Sequence, residues 1–505
     1  MRLQEELLHK YDHPEVSLPA PDALQLSEKV IMFGTGVLLR GLPAHFIEIA
    51  NRRGVFNGRI VMVKSTDGGD ATPFIHQNGL FTHLIQGYRH GEKVEEAFVN
   101  ASISRVLSAR TEWESIKALA RNQAISVIIS NTTESGIVLV PEDSIHAEPP
   151  VSFPGKLLAL LHERYVHFKG DPERGWVILP TELIPDNGRK LLEILRTLAR
   201  LNGLDQAFID WVESANPCCN TLVDRIVPGK PPKDRLRALE EKFGYTDDLM
   251  IMSEPYALWA IETSHPKVSA TLTFAEVNPE IHIRPDISVQ RELKLRLLNG
   301  THTFVCGPAV LAGFQTVDAA MENPVFGTYV RQLMIEDIIP AFRHPDISPE
   351  DAEAYASSVI DRFRNPQIGH RWLSITVNYS RKLQMRNLPL IHPALDRQGM
   401  IPERMSFALA AYLRFMKVSI GPDNKWRGSI DGFEYEVQDE FSAFYADLWV
   451  SHRDMTTLVQ NAFNNTDLWG ADMGTAAAII GSVTGQLESI LELGTLQAIA
   501  RLSAH

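Results

Sequence analysis

Residues 29–40 read KVIMFGTGVLLR: an apolar run with β-branched members, two glycines framing one threonine, then the start of a helical pattern. Strand, glycine turn and helix at the head of a chain are the opening of a dinucleotide-binding unit. The glycines permit a tight turn and let backbone N–H groups approach a pyrophosphate. Phe33, Gly34, Thr35 and Gly36 are therefore candidate cofactor contacts. Leu39 stands where the third glycine of the usual G-x-G-x-x-G would be, so an ordinary strand–helix turn is the alternative.

Working outward, residues 37–52 place Leu38, Leu39, Leu42, Phe46, Ile47 and Ile49 toward one side of a helix. RIVMVK (59–64) predicts a second strand, AISVIIS (124–130) and WVILP (176–180) two more, with helices at 111–122 and 154–166 leading into them. Continuous apolar strands alternating with helices predict a mainly parallel sheet covered on both faces. Short alternating runs between 80 and 108 predict antiparallel strands inserted in that sheet. From about residue 305 the pattern turns helical, over 348–363, 370–385, 403–417, 437–450 and 472–502. Ser348-Pro-Glu-Asp351 supplies a serine cap, a proline and an acid three residues on. The expected architecture is α/β: a Rossmann-type domain with inserted strands over 1–290, then a mostly helical domain over 291–505.

Bulk properties narrow the partners. The 505 residues exceed one core. A net charge of −13 repels nucleic acid on average. Three cysteines, Cys218, Cys219 and Cys306, form neither a disulfide framework nor a zinc pattern, so no metal is expected. The N-terminal stretch MRLQEELLHKYDHPEV lacks the apolar core of a secretory signal, and MGTAAAIIGSV (473–483) is too short to span a bilayer. The expectation is a cytoplasmic protein with a small-molecule substrate. Oligomeric state stays open, a monomer included.

At the end of the second strand, Asp67 can accept ribose hydroxyls and favour NAD over NADP, although it lies 31 residues beyond Gly36, later than the customary ~20. Lys64 pulls the other way, and Asp67-Gly-Gly-Asp70 also reads as a plain turn. Ser130-Asn131-Thr132-Thr133-Glu134 ends another strand, where Thr133 and Glu134 are candidate contacts for the nicotinamide half; a capped helix start is the alternative. Asn187 follows the strand near 180, either on the ligand side of the sheet or as a helix cap.

KLRLLNGTHTF (294–304) gathers Lys294, Asn299 and His302. On an α-helix they lie at about 0°, 140° and 80°, within reach of one cleft. The Leu293/Leu295/Leu297 alternation suits a strand instead, and Gly300 weakens a helix by roughly 1 kcal/mol. The groups suit ketone reduction: an ammonium gives a proton to oxygen as hydride reaches carbon, and amides stabilise the growing charge. Solvated lysine and turn asparagine are the alternative.

KLRLLNGTHT, NTLVDRIVPG (220–229) and SEPYALWAIE (253–262), in that company, resemble the polyol-specific long-chain dehydrogenases, the mannitol dehydrogenase family. The likeness runs from about residue 28 to near the C-terminus. It implies a Rossmann domain followed by a helical one, NAD(H) as cofactor, no metal, and reduction of a ketose or keto-uronate. By that resemblance Lys294 is the general acid/base, Asn187 and Asn299 form the oxyanion pocket, and His302 positions the substrate. ELIPDNG (182–188) and NPQIGHRWLSITVNYSRK (365–382) are closer to a keto-uronate branch serving hexuronate breakdown than to the mannitol enzymes. Ser374 stands where those enzymes hold a substrate-binding arginine, and Lys382 is kept. A carboxylate calls for a cation; Lys382 leads, with Arg371, Arg381 and Arg386 as further candidates. Val223-Asp224-Arg225 is read as a structural brace at the domain junction or, alternatively, as catalytic. A sibling acting on fructuronate or mannitol, and a nucleotide-sensing protein without turnover, are the competing readings.

Overall fold

Strand β1 (Glu28–Phe33) is buried from Val30 onward, and β2 (Arg59–Lys64) is buried through Val63. The computed structural model describes residues 1–502 apart from 9, 66–67, 69, 133–135, 343, 399 and 471–476, with the backbone alone at 396–398. The remaining strands of the first half are β3 (Phe81–Arg89), β4 (Glu92–Asn100), β5 (Ile103–Ser108), β6 (Val127–Ser130) and β7 (Val177–Pro180). Five of these form one sheet in the order β5-β2-β1-β6-β7, every neighbouring pair parallel. The chain builds outward from β1 on one side, then crosses to β6 on the other. That reversal opens a crevice at the carboxyl ends of β1 and β6, where such sheets bind ligands.

Alternate residues explain the continuous apolar runs. Ile31, Phe33, Val61, Val63, Ile128 and Ile178 point into one core with the helices Phe153–His167 and Asn187–Leu201. Val30, Met32, Ile60, Met62, Val127 and Ile129 point into another, with the helix Pro43–Arg52. Both faces are covered, so no polar alternation survives.

The strands expected between 80 and 108 are present but distributed differently. Only β5 joins the main sheet, in parallel at its edge. β3 and β4 form a separate sheet with β9 (Ile251–Ser253), in the order β4-β3-β9, after β8 (Asn220–Asp224) has joined another. β3 pairs in parallel with β9, Leu84 opposite Met252. That other sheet, β11-β10-β8, is completed by β10 (Leu258–Glu262) and β11 (Ile281–Arg284).

The chain divides into two compact units, Met1–Gln86 with Lys93–Ile287, and Gly87–Glu92 with Ser288–His505. In the second, the helices Thr301–Leu311 and Glu403–Phe415 run through the core, the former buried along its whole length. The Ser348 hydroxyl accepts the Asp351 N–H and starts the helix Pro349–Phe363. The stretch expected as one helix over 370–385 is two, Trp372–Ile375 and Tyr379–Arg386, broken at Asn378 with φ +53°. Thr495–Leu502 is likewise separated from Ala477–Leu493 by Gly494. A small antiparallel sheet, β12 (Val418–Ile420), β13 (Trp426–Ile430) and β14 (Phe433–Val437), interrupts the helices where none was expected. Among the described residues no helix is long and apolar enough to cross a membrane.

Candidate active site

The glycine turn takes the form its sequence requires. Gly34 has φ +118°, and a Cβ there would lie 2.8 Å from the Asn131 carbonyl oxygen and 2.9 Å from Leu39 Cδ1. Leu39, in the third-glycine position, thus closes the turn from inside. Gly36 is different: its backbone is extended, and a Cβ would meet nothing within 4 Å. Gly34 is needed by the fold, whereas Gly36 keeps a space open. This open space beside the backbone of the turn suits a dinucleotide.

Across the switch point, the end of β6 is pinned by a buried carboxylate absent from the sequence-derived set. Glu182 Oε1 accepts the Thr132 N–H and hydroxyl, both at 2.9 Å, and Oε2 accepts the Ser130 hydroxyl at 3.1 Å. Asn131 donates its amide to the carbonyl and hydroxyl of Thr181, each at 3.0 Å. The polar strand end is therefore held by the side-chain hydrogen bonds of both Glu182 and Asn131. Asp67, Thr133 and Glu134 lie outside the described residues.

Asn187 opens the helix Asn187–Leu201 and is 1% exposed. Its amide N–H groups donate to the carbonyls of Pro180, Glu182 and Thr221 at 3.0–3.1 Å, while Oδ1 accepts the Thr221 N–H at 2.8 Å. Both donors are engaged by backbone, so Asn187 ties β7 to β8. Arg225 is likewise bonded to backbone. Its Nη1 donates to the Gly41 carbonyl at 2.8 Å and its Nε to the Glu254 carbonyl at 3.0 Å. Glu254 in turn accepts the Ile226 N–H at 2.7 Å. Arg225 thus links the end of the helix Val37–Gly41, which follows the glycine turn, to Glu254.

In the second unit, Ser288–Leu293, Lys294–Gly300 and Thr301–Leu311 form consecutive helical segments, the middle one a π-helix. Such i→i+5 segments are uncommon and cluster at functional sites. This resolves the conflict between helix and strand over Lys294–Gly300: the wider turn fits neither simple period. Lys294 and Asn299 are half-buried on it. Among the described residues the Asn299 side-chain amide makes no hydrogen bond, in contrast to Asn187. His302 is 8% exposed, stacked on Phe363 at 4.2 Å with His370 and Trp372 edge-on.

The helix Tyr379–Arg386 packs along this segment. Arg296 Nη1 donates to the carbonyls of Arg386 and Met385, and Asn387 donates to the Gly300 carbonyl at 2.9 Å. Lys382 and Arg386 lie one turn apart on it, both half-buried. Lys382 Nζ donates to the Ile375 carbonyl at 2.9 Å. Among the described residues neither forms an ion pair. Burial, then the Arg386 charge, holds Lys382 below the usual lysine range, and burial lowers Arg386. His370 is lowered by burial, then by Arg362 and Lys382. Like charges at i,i+4 repel, so an anion placed on this pair relieves the repulsion. Arg371 and Ser374 are exposed and outside this pair, and Arg381 is exposed and bound to Glu440.

The first unit, with its parallel sheet and switch-point glycine turn, is of the Rossmann type, and the second is mostly helical. Residues 28–295 match the mannitol dehydrogenase Rossmann domain and residues 286–491 the mannitol dehydrogenase C-terminal domain. The chain belongs to the mannitol dehydrogenase family. It is 36% identical over 478 residues to the altronate oxidoreductase of Bacillus subtilis (strain 168), covering 94% of this chain and 95% of that protein. Its fold is similar to D-sorbitol dehydrogenase in substrate-free form, with TM-score 0.79, 21% identity and coverage of 99% and 100%. It is also similar to Pseudomonas fluorescens mannitol 2-dehydrogenase in ternary complex with NAD and D-mannitol, with TM-score 0.69, 22% identity and full coverage of both chains.

Proposed function

We propose that the chain catalyses the reversible NADH-dependent reduction of D-tagaturonate to D-altronate without a metal. The observation that carries the reading is the half-buried Lys382/Arg386 pair without a carboxylate partner among the described residues, on a helix packed against the Lys294 segment. A polyol needs no such pair; a keto-uronate carboxylate does, and charge-assisted hydrogen bonds recognise it. The relative named altronate oxidoreductase, at 36% identity, supports the substrate class. The space at Gly36 and the glycine-only turn at Gly34 fit NAD.

NADH, when bound, supplies the hydride. Lys294 donates the proton to the carbonyl oxygen and takes it back in the reverse direction. The Asn299 amide donates a hydrogen bond to the alkoxide as charge develops. Lys382 and Arg386 hold the carboxylate, and His302, fixed by Phe363, orients the sugar hydroxyls. Glu182 and Asn187 keep the strand ends of the first domain in place. Three reduced cysteines suit a cytoplasmic catabolic enzyme whose partner is a small sugar acid.

The test is NADH consumption across D-tagaturonate, D-fructuronate and D-fructose. Tagaturonate is expected to lead in kcat/KM. Equal turnover of the neutral ketose would remove the carboxylate argument. NADH binding without turnover of any of them would favour the sensing protein.

A further inference from the structure

We propose that Thr303 is a specificity-positioning residue that aims Arg386 at the substrate carboxylate; this rests on the carboxylate reading of Arg386 above. Thr303 is 1% exposed, next to His302 in the first turn of the helix Thr301–Leu311. Its hydroxyl donates to the Asn299 carbonyl at 2.9 Å, and its oxygen accepts Arg386 Nη1 at 3.1 Å. The hydroxyl has one proton, and the carbonyl four residues back takes it. The oxygen is thereby left as an acceptor directed at the guanidinium.

Arg386 is held at both ends. Its carbonyl accepts Arg296 Nη1 at 2.9 Å, and its side chain ends on Thr303. A guanidinium has five N–H donors in a fixed fork. One is used on Thr303, and among the described residues no side chain takes the others. Fixing one corner of a planar fork fixes the direction of the rest, which is what bidentate carboxylate recognition needs. Thr303 also joins the carboxylate-binding cation to Asn299, the residue whose amide meets the reacting oxygen. The two ends of the substrate are thus indexed to one helix turn. An arginine without this tether would sweep several rotamers, and carboxylate binding would carry the entropy of ordering it.

Thr303→Val keeps the shape and removes the acceptor. It is expected to raise the KM for D-tagaturonate about tenfold, equivalent to about 1.4 kcal/mol, with kcat within twofold and NADH affinity unchanged. Thr303→Ser is expected to restore the KM. Arg386→Leu, measured in parallel, is expected to raise KM further, and Thr303→Val added to it to have no additional effect. A KM unchanged in Thr303→Val but raised in Arg386→Leu would overturn the positioning role and leave the carboxylate reading standing. A loss confined to kcat would overturn it too, because Thr303 would then act through Asn299. If Arg386→Leu leaves KM unchanged, the carboxylate reading itself fails. Should Thr303→Val not fold by circular dichroism, Thr303→Ala is judged by the same criteria.

Discussion

Gly34 and Gly36 are separated by one residue, yet substitution by alanine should affect them in opposite ways. At Gly34 an L-residue must take φ +118°, and its Cβ would press on the Asn131 carbonyl at 2.8 Å and on Leu39 Cδ1 at 2.9 Å. The carbonyl cannot retreat easily: the Asn131 N–H donates to Phe33, and its side chain is tied to Thr181. Backbone strain of about 1–3 kcal/mol and overpacking of about 1–3 kcal/mol give a destabilisation of roughly 4 kcal/mol. At roughly 2 °C per kcal/mol for a unit of this size, the first unit should melt about 8 °C lower. Gly36→Ala adopts its extended backbone without strain and meets no atom within 4 Å, so its melting should stay within about 2 °C. Its methyl nevertheless enters the space assigned to the dinucleotide, and NADH should bind at least tenfold more weakly. Calorimetric melting and NADH fluorescence titration separate the two. A Gly36→Ala protein that binds NADH like the parent would refute the assignment of that space, whatever Gly34→Ala does.

Lys294→Ala should reduce turnover by about 10²–10⁴-fold, the usual contribution of a general acid, while the NADH dissociation constant stays within threefold; a comparable loss in both would make the lysine structural. Glu182→Gln should loosen the Ser130–Thr132 strand end and weaken NADH binding several-fold, from the loss of about 1–2 kcal/mol of charge-assisted hydrogen bonding; unchanged binding would show that the β6 end does not contact the cofactor. The KM for D-tagaturonate should rise on the alkaline side at a pH below that of an ordinary lysine. A bound carboxylate favours protonated Lys382, so affinity is present below its folded-state pKa, which burial and Arg386 lower, and is lost as pH rises through it. Lys382→Arg should move that limb upward, and a pH profile identical to the parent's would exclude Lys382 from the carboxylate contact.

What the sequence disclosed depended on how far apart the deciding groups lie. β1 and its glycine turn are local: a strand buried on both faces is written as one apolar run, and Gly34 marks the left-handed position directly. The placement of β3 is not local, because its parallel partner β9 lies far along the chain, and nothing in FTHLIQGYR distinguishes that sheet from the main one. β13 and β14 were legible in principle. Asp431-Gly432, with φ of +47° and +82°, is a two-residue hairpin signal between alternating residues, and the helical surroundings masked it.

The site follows the same division. The sequence named residue types suited to the chemistry but could not distinguish an amide engaged by backbone from one that is not engaged among the described residues. Asn187 and Asn299 are the same side chain; the carbonyls of Pro180, Glu182 and Thr221 consume the first, and nothing described consumes the second. For the cations, Lys382 and Arg386 are four residues apart and readable as one helix face, whereas Arg371 falls before the break at Asn378 and leaves that face. Glu182 and Thr303 escaped because each works by holding another group, through bonds to backbone or to a partner distant in sequence. The conflicting periodicities of Leu293–Gly300 were the one sequence trace of such an arrangement. A stretch that fits neither period is what a π-helical turn produces. Its mixed pattern of leucines, lysine, asparagine and glycine is therefore the mark of that turn and not noise around it.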